Sequence, residues 1–87
     1  MLGVAKVVEM ITSRQIRAAR ALLGWSQQQL ADNAIVSLNA VARLESGAVD
    51  SRISTVQAVQ KALVKAGVEF LSADQKGEGV RLKSPKS

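Results

Sequence analysis

The 87-residue chain predicts a mainly α fold, in which four short helices are followed by a C-terminal β-hairpin. Three observations carry that expectation. Ser or Thr caps with Gln three residues later recur along the first two thirds of the chain. Gly or Asn stands where each helix would end. After residue 67 the apolar spacing changes from helical to two short runs flanking a turn-rich segment.

Residues 1–11 form an N-terminal extension whose order the sequence leaves open. Its opening, MLGVAKVVEM, is interrupted by Lys6 and Glu9 and is too short for a secretory h-region; Met10 is an alternative start. Thr12 and Gln15 make the first capping box, with Ile11 and Ile16 placed as its hydrophobic staple, so a helix spans 13–23 and closes at Gly24. Ser26 and Gln29 make the second box, stapled by Trp25 and Leu30, for a helix over 27–33 closed by Asn33. Ser37 caps a third helix, 38–46, with Val36 against Val41 as its staple and Gly47 at its end. Ala40 cannot complete a box there. Ser54 and Gln57, with Ile53 and Ala58, start the fourth helix, 55–66, which stops at Gly67.

Ile16, Ala19 and Leu23, then Leu30, Ala31 and Ala34, Val41 and Leu44, and Val56, Val59 and Leu63 repeat at helical spacing and form the expected core. Beyond Gly67, VEFL and GVRL read as strands joined by SADQKGE, with Val68 and Phe70 on one face, as are Val80 and Leu82. A two-stranded hairpin is marginal alone in water, so this one must pack on the last helix or pair with another chain. The organisation is thus a helical domain over 12–67, a hairpin over 68–83 that can serve dimerisation, and a disordered, cationic tail at 84–87.

Composition narrows the function classes. Twelve Lys and Arg against seven Asp and Glu leave +5 at pH 7, which favours an anionic partner. With no Cys and no His, the chain lacks thiolate ligands, the commonest metal ligand and the usual general base. We therefore expect no enzyme, no catalytic residues, no metal and no cofactor. No stretch approaches the ~20 apolar residues of a membrane span, so the expected location is cytoplasmic, without membrane contact. The GEG at 77–79 lacks the lysine and the strand-to-helix context of a phosphate-binding loop.

The second and third helices are joined by only NAIV, which sets one across the other as in a helix-turn-helix. The stretch SQQQLADNAIVSLNAVARLESG, residues 26–47, resembles the DNA-binding domain of the Cro and phage-repressor (XRE) family of transcriptional regulators. The resemblance rests on Ser26-Gln27, Leu30-Ala31, Val36-Ser37, Val41 with Leu44, and Glu45-Ser46-Gly47, and extends over roughly residues 12–66. It implies a compact, lambda-repressor-like four-helix domain that binds double-stranded DNA; the expected homodimer rests on self-pairing of the hairpin, which would give the two-fold symmetry that palindromic sites favour. It further implies that Gln27 meets a phosphate, as its place on the first turn of a helix would favour, and that Arg20 and Glu45 form a structural ion pair. The residues of the third helix facing away from Val41 and Leu44 are Leu38, Asn39, Ala42 and Arg43. Asn suits adenine, Arg suits guanine, and Leu or Ala suits a thymine methyl. Ser37 is cap and phosphate donor, Gln28 an exposed amide near the groove, and Arg52 a backbone contact before the fourth helix. Arg14 and Arg17 are either phosphate contacts or solvated charges.

Two departures stand out. Ile35 occupies the turn position often held by Gly, so its backbone either avoids the left-handed region or accepts strain. Leu38, Ala40 and Ala42 leave a reading surface poor in hydrogen-bond donors, which shifts weight to DNA shape. The rival reading is an antitoxin or protein-interaction module that binds a partner protein through the hairpin. RNA binding is disfavoured because Trp25 and Phe70 are the only aromatic residues available for stacking.

Overall fold

The computed structural model describes residues 11–48, 52–72 and 77–83. The elements run α1 (Ser13–Leu23), α2 (Gln27–Ala34), α3 (Leu38–Glu45), α4 (Ile53–Lys65), β1 (Val68–Leu71) and β2 (Gly79–Leu82). The expected N-terminal segment through residue 10, part of the hairpin loop and the 84–87 tail lie outside the described residues.

Two expected capping boxes form completely. Thr12 accepts from the Gln15 backbone N–H while Gln15 accepts from that of Thr12, and Ser26 and Gln29 repeat the exchange. Ser37 caps α3 by accepting from the Ala40 N–H at 3.0 Å. The box at Ser54 does not form: α4 begins two residues earlier than expected, with Arg52 at the N-cap and no side-chain cap bond. Backbone geometry alone supports this start, since the N–H groups of Thr55 and Val56 both donate to the Arg52 carbonyl at 3.1 Å. Ile53, expected to staple, is 63% exposed.

Asn33 does not end α2. Its side chain turns back to donate to the Gln29 carbonyl at 2.8 Å, and the helix continues to the buried Ala34. The left-handed residue that ends α2 is Ile35, at φ 58° and ψ 49°. The third helix stops at Glu45, one residue short of the expected end, with Ser46 as its C-cap.

The core contains every expected apolar position except Leu23, which packs against it half-buried, and adds Val68. The strands pair antiparallel, Val68 with Leu82 and Phe70 with Val80, so these four share a face as expected. Val68 is fully buried, and Phe70 and Val80 pack against the core. The hairpin is anchored on α1 as well as on α4. Gln15, already half of a capping box, donates its amide to the carbonyls of Leu71 at 3.1 Å and Gly79 at 2.9 Å, one on each strand. Beside it, Glu78 accepts from Thr12 Oγ1 at 2.9 Å and from Arg14 Nε at 2.8 Å. One amide thus closes a helix start and holds a hairpin. A marginal two-stranded unit gains its missing support this way.

Candidate nucleic-acid interface

The orientation of α3 is held at its C-terminal end by Glu45. This side chain is buried, and a bare buried carboxylate would be costly, so it collects partners from two other elements. Arg20 on α1 grips it bidentately, Nε to Oε2 at 2.7 Å and Nη2 to Oε1 at 3.0 Å. Gln27, the first residue of α2, donates Nε2 to the same Oε1 at 3.0 Å. Arg20 Nη1 also reaches the Trp25 carbonyl at 3.0 Å, and Arg17 Nη1 donates to the carbonyl of Glu45 itself. Burial pushes the Glu45 carboxyl up. The hydrogen bonds from Arg20 and Gln27, aided by the charges of Arg20 and Arg17, outweigh that effect and hold it below the ordinary carboxylate value. The network therefore ties α1, the start of α2 and the end of α3 into one rigid corner.

The opposite face of α3 is left at the surface. Val41 and Leu44 point into the core, while Leu38 (44% exposed), Asn39 and Arg43 lie exposed and Ala42 is half-buried. Ser37 begins the helix from an exposed position. Arg52 is exposed at the start of α4. Gln28 donates to Asp32 Oδ1 at 2.9 Å, an (i, i+4) pair along α2. Of the further arginines weighed as phosphate contacts or solvated charges, Arg14 pairs with Glu78 at the surface and Arg17 donates to the carbonyl at the end of α3.

Sequence reasoning did not foresee that Gln27 is bound into the Glu45 corner, or that Gln15 holds the hairpin. A capping box signalled Gln15 and the first-turn position signalled Gln27, but both signals see only the local helix start. Among the described residues no group of acidic side chains is placed to hold a metal ion, and no helix is long and apolar enough to cross a membrane.

A short braced α2, a sharp turn and an α3 with an exposed polar edge define a helix-turn-helix domain of the DNA-binding kind. A helix-turn-helix family model matches residues 16–63, more than half of the chain, and the chain belongs to that family, the Cro/C1-type or XRE regulators of transcription. No curated protein matches the chain.

Proposed function

We propose that this protein is a repressor that binds a specific duplex DNA site as a two-fold dimer, laying α3 in the major groove. The observation that carries this reading is the division of α3: Val41 and Leu44 are committed to the core, and Leu38, Asn39 and Arg43 face solvent on a helix whose C-terminal end is held by the Glu45 corner. Asn39 reads adenine and Arg43 guanine, and Leu38 and Ala42 meet thymine methyls. Ser37, Gln28 and Arg52 approach the backbone. Gln27 does so with the amide hydrogen that Glu45 leaves over, at the positive end of the α2 dipole.

In vitro selection of duplex DNA by the purified protein, read beside its mass in solution, tests the proposal. Enrichment of an inverted repeat by a species of twice the chain mass is expected. Recovery of no motif at low salt would discard sequence-specific binding. A second reading is favoured by Val64 on α4 and Leu82 on β2, apolar side chains exposed near the hairpin. These suit a partner protein, as in an antitoxin, and co-purification of a stoichiometric partner from the native host is its test.

A further inference from the structure

Three helices in this fold end in the same way. At Gly24 the N–H bonds the Ala21 carbonyl and that of Trp25 bonds Arg20; at Gly47 and Ala48 the acceptors are Leu44 and Arg43; at Ile35 and Val36 they are Asp32 and Ala31. Each is a Schellman closure, which places one residue in the left-handed region. Glycine fills that place at 24 and 47, with φ of 70° and 81°. At 35 the place is filled by isoleucine, a β-branched residue for which the left-handed region is a true outlier. Burial does not offset the strain, because Ile35 is 89% exposed, the highest exposure among the large apolar residues described. The side chain therefore does nothing for the folded monomer that glycine would not do better.

Backbone strain that the fold does not use calls for a ligand that does. Ile35 lies two residues before the N-cap of α3, and Leu38, 44% exposed, is the first residue of that helix. Both are exposed apolar side chains, three positions apart where the turn enters α3, whose exposed residues also include Asn39 and Arg43. A protein with net +5 that presents apolar side chains beside Asn and Arg is matched to duplex DNA, whose major groove offers one apolar group, the thymine methyl. We propose that Ile35 is a specificity-determining residue that packs with Leu38 on thymine methyl groups at the edge of each half-site; this rests on the DNA-binding reading given above. The left-handed backbone is then what turns the side chain outward to the groove.

The test combines a protein change with a DNA change. On the selected duplex, replacing each edge thymine by uracil deletes a single methyl. For the wild-type protein the affinity is expected to fall about fourfold at the contacted position, the equivalent of one buried methyl-sized group. For Ile35→Gly the affinity for the thymine duplex falls by a similar factor and the uracil effect shrinks to what Leu38 alone supplies. Meanwhile the melting temperature of Ile35→Gly rises, by about 4 °C, as the left-handed strain is relieved. Asn tolerates the same backbone, so Ile35→Asn should match Ile35→Gly in its reduced response to uracil. An unchanged affinity of Ile35→Gly, or equal uracil effects in both proteins at every position, overturns the role of Ile35. Failure of the wild-type protein to select any sequence overturns the DNA-binding reading, which is a different result.

Discussion

Arg43 and Glu45 sit two residues apart on α3 and have opposite tasks. Arg43 is exposed and faces the proposed groove, so Arg43→Ala is expected to cost about 1–3 kcal/mol on the selected site and little on random duplex, as titration of both would show. Equal losses on the two would reassign it to phosphate. Glu45 is only 5% exposed and acts on the fold. Glu45→Gln removes a charged acceptor of three donors, and chemical denaturation at pH 7 should show a loss of about 2 kcal/mol. The pH dependence has a definite sign. Because folding lowers the pKa of Glu45 from its ordinary 4.5, its contribution is present above that value and is lost as pH falls through the folded one. The gap between wild type and Glu45→Gln should therefore be constant from pH 6 to 8 and close in the acid range below about 4.5. A gap that does not narrow at all as pH falls below 4.5 through the acid range would mean that the carboxylate charge is not what matters.

At the scale of elements, helix starts that look alike in sequence differ in how they are built. Ser26 accepts a backbone hydrogen bond at the start of α2, whereas Ser54 lies inside α4 with the cap at Arg52. Ser26→Ala should lower stability by about 1 kcal/mol and Ser54→Ala by less than about 0.5 kcal/mol, in paired denaturant titrations. Comparable losses would place the start of α4 at Ser54 after all. The hairpin shows the reverse economy, in which one side chain serves two elements. Gln15 satisfies the start of α1 with its oxygen and both strands with its nitrogen, and the strands it holds are too short to stand alone.

For the whole molecule, the distribution of charge decides how binding responds to salt. Several arginines are used internally: Arg14 on Glu78, Arg17 and Arg20 on Glu45, and Arg81 on Glu69. The net +5 already subtracts the acids of these pairs; the gross count of twelve Lys and Arg is what overstates the cations available to phosphates. Arg52, exposed at the entry to α4, is expected to make one phosphate contact, so Arg52→Ala should reduce the slope of log K against log salt by about 0.9 per bound copy. An unchanged slope would leave Arg52 in solvent.

The sequence by itself determined the helical domain, both strands, nearly all of the core and the helix-turn-helix, because these follow from short-range regularities: cap spacing, apolar periodicity, and glycine where a helix turns left-handed. Tertiary structure decided what those regularities cannot hold. It ran α2 past Asn33 because Ala34 had core to bury against, and it ended the helix on Ile35, a residue no local preference would choose. It joined Gln27 to Glu45, 18 positions apart, and Gln15 to carbonyls 56 and 64 positions away. A buried polar group takes whatever partner the packing brings within 3 Å, and that proximity is a property of the folded chain.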